Sequence, residues 1–240
     1  MKEKKYDIII PYTNCDSYYR ERNLKFALFY YKQLLDDANI IVVEQDTETD
    51  LSEFDYITHY KIKIGTDFNK SKCLNYAVKH SKSKYIFLLD NDIVITEDVL
   101  KNLNNYFNKK CLVYLYNMPL CDYNSVESTM FINARYISEG KYRKNLVLGG
   151  AAMLISRKSY YLVGGFDETF VGWGGEDTAF HYKCEKLLCI KRIDNTLYHL
   201  YHESAKRHRN TYKKELDRIK NMTKEDLIKY SGKNREYFLK

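Results

Sequence analysis

A few short stretches of this chain carry residues whose types and spacing could do chemistry. Gly172-Trp173-Gly174-Gly175-Glu176-Asp177 sets the only tryptophan of the chain among three glycines and follows it with two carboxylates. Glycine permits positive φ and close approach of backbone to ligand. Such a loop can fold over a ligand, present a flat aromatic face and aim a carboxylate. Sugars have apolar faces rimmed by hydroxyls and suit that combination. The same residues would also serve as a Gly-rich turn before a helix, with Glu176 and Asp177 set against the helix dipole. Asp90-Asn91-Asp92 follows the apolar run Tyr85–Leu89 directly. Two carboxylates at a strand mouth repel each other unless a cation sits between or beside them. Hard oxygen ligands suit Mg²⁺ or Mn²⁺, either of which can bridge phosphate oxygens. His199-x-x-His202 adds two imidazoles that can converge on one ion, which shifts the preference from Mg²⁺ toward Mn²⁺.

The elements that must position these groups alternate. Asp7–Pro11 reads as a buried strand, and Ser17–Leu35 as a helix, with Leu24, Leu28, Tyr31 and Leu35 at helical spacing. Asn39–Val43 reads as a second strand running into Glu44-Gln45-Asp46, and Tyr56–Ile64 as a third. Lys72–His80 is helical, Tyr85–Leu89 is a central strand, and a helix follows a Thr96 cap. This alternation predicts an α/β fold with a mostly parallel sheet. Ligands of such sheets bind beyond the carboxyl ends of the strands. Pro11-Tyr12-Thr13-Asn14, Glu44-Gln45-Asp46 and Asp90-Asn91-Asp92 are therefore expected to face one crevice. Residues 117–147, rich in Asn, Ser and Tyr, read as irregular: a binding lid or a long surface connection.

The 240 residues predict one large domain over 1–204 and a basic helical extension over 205–240. The extension holds 12 lysines and arginines against 5 acids, the whole of the net charge of +7. Thr223-Lys224-Glu225-Asp226 starts a helix there as a capping box with Asp in place of Glu. A basic tail on a neutral body suits an anionic surface such as inner-leaflet lipid, or is simply a solvated helix. It lacks the aromatic-basic interleaving that stacks bases, so no nucleic-acid partner is expected. No secretory leader is read at the start, and the run Leu146–Ile155 is too short to span a bilayer. A soluble, cytoplasmic protein, peripheral at the inner membrane face at most, is expected. The six cysteines show no CxxC spacing and read as buried free thiols in a reducing compartment.

Asp90-Asn91-Asp92, Gly149-Gly150-Ala151-Ala152-Met153-Leu154, Gly164-Gly165-Phe166-Asp167, Trp173-Gly174-Gly175-Glu176-Asp177 and His199-x-x-His202 occur in that order. The set resembles the GT-A glycosyltransferases, especially the β-1,4-galactosyltransferase group with its Trp-Gly-Gly-Glu-Asp loop. It is also similar to bacterial chondroitin polymerase and polypeptide N-acetylgalactosaminyltransferase catalytic domains. Phe68-Asn69-Lys70-Ser71-Lys72-Cys73-Leu74-Asn75 is similar to the galactosyltransferase Phe-Asn-Arg-Ala-Lys-Leu-Leu-Asn segment. The resemblance covers about residues 6–205 and implies a GT-A fold. It implies that Pro11, Tyr12 and Thr13 line the uridine and diphosphate end of the cleft, with Phe68 and Lys70 beside them. Glu44, Asn91 and Gly150 are counted with these nucleotide-sugar-binding residues. Asp92 would bind Mn²⁺, and Asp90 would orient the donor sugar or the metal's waters. His202 matches the family's metal-binding His. His199 stands where the galactosyltransferases place a Met ligand, and is counted with Asp92 and His202 as a metal ligand. Trp173 would ride on a mobile loop closing over the donor, with Glu176 and Asp177 meeting the acceptor. Lys70 replaces the family Arg and loses bidentate phosphate geometry. Thr13 also stands where the galactosyltransferases have Arg.

The expected activity is metal-dependent inverting transfer of a hexose or N-acetylhexosamine from a UDP-sugar to a saccharide, lipid-linked glycan or peptide hydroxyl. Galactose and N-acetylgalactosamine are the favoured sugars. Asp177 is the expected base and Glu176 holds the acceptor. A sugar nucleotidyltransferase would want a Gly-rich phosphate loop after the first strand, and Pro11-Tyr12-Thr13-Asn14-Cys15 has no glycine. A non-catalytic nucleotide-sugar or carbohydrate-binding module would be expected to have lost a metal or base residue, yet Asp92, Asp177 and both histidines are present.

Overall fold

Apolar strands that are buried on both faces need helices on both sides, and the chain supplies them in alternation. A computed structural model describes residues 5–15, 17–117, 120–143, 149–172, 174–203 and 212–239. In order, they form β1 (Tyr6–Tyr12), α1 (Tyr18–Leu34), β2 (Ala38–Gln45), β3 (Ile57–Ile62), α2 (Lys70–His80), β4 (Tyr85–Leu89), β5 (Ile93–Val94) and α3 (Glu97–Lys101). Then come β6 (Cys111–Tyr114), β7 (Cys121–Asp122), α4 (Ser125–Ala134), β8 (Lys141–Tyr142), β9 (Ala152–Ser156) and α5 (Arg157–Leu162). The last are α6 (Glu176–Leu187), β10 (Cys189–Arg192), β11 (Tyr198–His199), α7 (Lys213–Asn221) and α8 (Lys224–Leu239).

The main sheet has seven strands in the order β10-β6-β9-β4-β1-β2-β3. β4, β1, β2 and β3 are parallel neighbours, and β9 runs antiparallel to both β4 and β6. All seven residues of β1 are buried, as a strand covered on both faces requires. Tyr12 pairs with Glu44, and Ile9 with Leu88, so the ends of β1, β2 and β4 meet at one edge, as expected. A second sheet, β5-β11-β7-β8, stands beside that edge. The sheets and helices match the GT-A expectation.

Local chemistry sets the helix starts. Ser17 caps α1 by accepting from the Arg20 N–H. Thr223 caps α8, its hydroxyl accepting from the Asp226 N–H at 3.1 Å, but the Asp226 carboxylate accepts from that hydroxyl at 2.7 Å, so among the described hydrogen bonds only the Thr223 half of the expected capping box is made. Thr96 makes no side-chain cap bond, and the helix after it is only α3. Residues 117–147 are not irregular throughout. They contain α4, started by a full capping box in which Asn124 accepts from the Glu127 N–H and Glu127 accepts from the Asn124 N–H. The cysteine reading is corrected as well. Cys111 and Cys189, paired in register on β6 and β10, form a disulfide, and Cys15 is exposed. That removes the argument from cysteines to a reducing compartment. Cys73, Cys121 and Cys184 are buried free thiols, as read. Among the described residues, no helix is long and apolar enough to cross a membrane.

Candidate active site

The crevice is built where β1, β2 and β4 end. The Gln45 side chain, at the end of β2, accepts from the Asn69 N–H at 2.7 Å. Asn69 in turn caps α2 by accepting from the Lys72 N–H at 2.9 Å. Lys70, the first residue of α2, therefore emerges at the strand edge. Asp90 follows β4 and is tethered by its N–H to the Ala151 carbonyl at 3.0 Å. Gly175, with φ of 106°, turns the chain into α6, whose first two residues are Glu176 and Asp177. The Lys70 ammonium lies 2.8 Å from Asp90 Oδ1 and 3.1 Å from Asp177 Oδ2. Two partly buried carboxylates from distant segments thus share one cation.

The charges in this cluster are tightly balanced. Burial opposes the charge on Lys70, but Asp177 and Asp90 outweigh it and hold the ammonium well above its ordinary pKa. Burial raises Asp90 to about 6; Lys70 opposes the rise, while the Asp177 and Asp92 charges add to it. Glu176 is raised to about 7 by burial and by the neighbouring Asp177 charge. Its Oε2 accepts from the Gly174 N–H at 3.2 Å. Asp177 Oδ1 is buried and has no hydrogen-bond partner among the described residues. It sits so close to Gly150 that a Cβ added there would lie 2.2 Å from it. Gly150 is therefore the residue that gives Asp177 its place.

A second cluster adjoins the first through the Asp90–Asp92 turn. β5 pairs antiparallel with β11, setting Ile93 opposite His199, and the Leu200 N–H donates to the Asp92 carbonyl at 2.7 Å. This pairing carries both histidines to Asp92. His202 Nε2 is 3.1 Å and His199 Nε2 is 3.7 Å from Asp92 Oδ2. Ligand atoms of all three lie within 4.8 Å of one another. The outward nitrogens are held too. His199 Nδ1 is 2.8 Å from Asp122 Oδ1, and Asp122 is clamped by Arg143 through two bonds of 2.8 and 2.7 Å. His202 Nδ1 donates to the Glu203 carbonyl at 2.8 Å. Both rings thus turn Nε2 toward Asp92, the supported arrangement that metal-binding imidazoles need. Burial opposes the charge on Asp92, but the two histidines hold its carboxyl well below the usual range. One carboxylate and two imidazoles fit a divalent cation.

The remaining expected residues lie around these clusters. Pro11 and Tyr12 are buried at the end of β1, with Thr13 partly exposed beyond them. Phe68 is half-buried, and its carbonyl accepts from the Gly172 N–H at 2.9 Å. Asn91 donates to the Arg20 carbonyl at 3.2 Å. Glu44 is not brought to the crevice as a free group. It is fully buried, and its carboxylate is taken up by Thr47, Thr49 and His59. Burial would raise its pKa, but those bonds outweigh it and hold it at about 2. Trp173 lies outside the described residues. Asp122 and Arg143, which brace His199, carry no signal in local spacing, because only the β7–β11 pairing brings them there.

A family described as glycosyl transferase family 2 matches residues 7–170, which include β1, β2, β4, Lys70 and the Asp90–Asp92 turn. The chain belongs to that family. A second family, described as the N-terminal domain of galactosyltransferase, matches residues 130–214, which include Gly150, Asp177 and both histidines. No curated protein sequence matches the chain. The family 2 chain is also similar in fold to solved glycosyltransferases. The catalytic domain of Drosophila β-1,4-galactosyltransferase 7 in complex with xylobiose aligns at TM-score 0.59 and 15% identity, over 92% of this chain and 83% of that one. A mutant of the same enzyme in complex with manganese, UDP-Gal and xylobiose aligns at TM-score 0.55 and 15% identity, over 82% and 71%. GalNAc-T7 with UDP, GalNAc and Mn²⁺ aligns at TM-score 0.53 and 12% identity, over 83% of this chain and 44% of that one. The protein is a glycosyltransferase of the GT-A fold.

Proposed function

We propose that this glycosyltransferase is metal-dependent and inverting, and moves galactose or N-acetylgalactosamine from a UDP-sugar to a saccharide hydroxyl. The observation that carries the proposal is the junction of two clusters at one strand edge, Asp92–His199–His202 and Lys70–Asp90–Asp177. The UDP-galactose, manganese and xylobiose of the fly enzyme, and the UDP, GalNAc and Mn²⁺ of GalNAc-T7, support the choice of donor, metal and acceptor class. Asp92, His199 and His202 would hold a divalent cation, Mn²⁺ before Mg²⁺, which when bound supplies the positive charge that a departing diphosphate needs.

The residues of the chain do the rest. Lys70 keeps Asp90 and Asp177 from repelling each other and fixes one oxygen of Asp177. The other, Oδ1, has no partner among the described residues and is the atom that would take a proton from an acceptor hydroxyl. Attack from that side, opposite the leaving group, inverts the anomeric carbon. Glu176, raised to about 7 by burial and the Asp177 charge, could donate a hydrogen bond to the acceptor when protonated and accept one when ionised. The loop at 172–175, with Trp173, would close over the donor and exclude water. Residues 1–204 form the catalytic domain and 205–240 the extension in this reading. Exposed Lys213, Lys214, Lys220, Lys224 and Lys229 suit an anionic lipid surface bearing a lipid-linked acceptor.

Asp177→Asn is the direct test. Metal-dependent UDP binding should survive, and transfer should fall by about 100-fold or more. Transfer at the wild-type rate would remove Asp177 from its role.

A further inference from the structure

The sequence sets 205–240 apart as an appendage, but in the structure its helices are fastened to the base of the loop that leads into Glu176 and Asp177. The hydroxyl of Tyr212 donates to the Val171 carbonyl and accepts from the Val171 N–H, both at 2.8 Å. One side chain thus occupies both backbone groups of the residue just before Gly172, as a neighbouring strand would. The Tyr212 ring packs on Phe170, with centroids 4.8 Å apart. Tyr230, from α8, donates to Asp167 Oδ2. Ile219 and Leu227 close a small separate core with Phe170 and with Ala179 of α6.

The Gly164-Gly165-Phe166-Asp167 motif finds its reason here. A Cβ at Gly164 would meet Ser231 Cβ at 2.7 Å, and one at Gly165 would meet Phe238 Cζ at 2.6 Å. Both glycines also have positive φ. They turn the chain while admitting α8 against α5, where Phe238 stacks on Tyr161 at 4.8 Å. The extension is thus seated by the catalytic body and reaches back to the segment just before the loop. On the far side of that segment, the Gly172 N–H is held by the Phe68 carbonyl, two residues before Lys70.

We propose that the C-terminal helical pair is a positioning element of the site, in which Tyr212 latches Val171 and so holds the loop and the Glu176–Asp177 pair in register with Lys70. The catalytic half of this inference rests on the transferase function proposed above; the latch itself does not. Tyr212 touches no reacting group and acts through the backbone of Val171.

The test is Tyr212→Phe in the full-length protein, which removes both hydrogen bonds and keeps the ring on Phe170. Asp217→Ala, at an exposed position of α7 on the same extension, is the control. Trp173 is the only tryptophan of the chain, so its fluorescence reports on this loop alone. Losing two neutral hydrogen bonds should speed amide exchange across residues 167–177 by about tenfold and increase acrylamide quenching of Trp173. The kcat for transfer should fall by about tenfold, with metal-dependent UDP affinity unchanged. Tyr230→Phe, should Tyr212→Phe fail to fold, is expected to shift the same amides in the same direction. Exchange and quenching equal to wild type in these variants would overturn the latch, whatever happens to transfer. Faster exchange with wild-type kcat would overturn its positioning role. A wild-type protein that transfers no sugar would instead overturn the transferase proposal and the positioning role with it, while exchange would still decide the latch.

Discussion

Replacing Gly150 by alanine should displace Asp177 before anything else. The new Cβ would stand 2.2 Å from Asp177 Oδ1, 2.7 Å from its Cγ and 3.0 Å from Met153 Cε. Met153 is flexible at that end and can give way. The carboxylate has less freedom, since Oδ2 is tied to Lys70 and the residue lies in the first turn of α6. To reach ordinary contact, Oδ1 must retreat by roughly 1 Å, and a misplacement of that size at a reacting group costs about 100-fold in rate. No atom of Asp92, His199 or His202 is among the three nearest the new Cβ. Metal-dependent UDP binding, measured by calorimetry, should therefore stay at the wild-type value while kcat falls. If the loss runs through Asp177, the double variant Gly150→Ala/Asp177→Asn should be no slower than Asp177→Asn alone. A kcat within twofold of wild type for Gly150→Ala, or full additivity in the double variant, would refute this reasoning.

Further expectations follow from the groups around these clusters. Asp122→Asn removes the charge that joins Arg143 to His199, and should weaken Mn²⁺ binding by about 10-fold or more in a direct titration of the protein without nucleotide. Undiminished affinity would show that Asp122 does not support the ligand. Glu176 gives a pH-dependent stability. Its folded pKa of about 7 lies above the ordinary 4.5, so its stabilising effect is complete below 4.5 and is lost as pH rises through 7. Glu176→Gln should therefore melt higher than wild type at about pH 8, by a difference worth up to about 3 kcal/mol, and lose that advantage toward about pH 5. A melting difference independent of pH would contradict the assignment.

What the sequence discloses here is local. Strands that end in Pro11-Tyr12, Glu44-Gln45 and Asp90-Asn91-Asp92 advertise a parallel sheet and its ligand edge, because periodicity and end chemistry are written in neighbouring residues. Asp92 and the His199–His202 pair were also legible as candidate metal ligands, the histidines by their short spacing, and the structure brings their donor atoms together. The capping box that starts α4 was equally local, in Asn124 and Glu127, yet the Asn- and Ser-rich composition around it suggests a loop. Contacts across the sheet have no such mark. Asp122 reaches His199 only because β7 lies beside β11, and Cys111 meets Cys189 only through the β6–β10 register. Glu44 has the right type at the right strand end, but Thr47, Thr49 and His59 consume it. Lys70 was foreseen as a phosphate ligand and is found bridging Asp90 and Asp177. The attachment of the extension through Tyr212 and Tyr230 is likewise invisible in a charge count.

The central claim is that the two adjoining clusters serve metal-dependent transfer from a UDP-sugar. Nucleotide binding and release, followed across UDP-, GDP- and CMP-sugars with Mn²⁺ and again with chelator, tests it most directly. The account predicts that a UDP-sugar, UDP-galactose or UDP-N-acetylgalactosamine, binds and releases UDP with Mn²⁺, and that chelator or Asp92→Asn abolishes both. Binding of no UDP-sugar with the metal present, or binding indifferent to chelator, would contradict it.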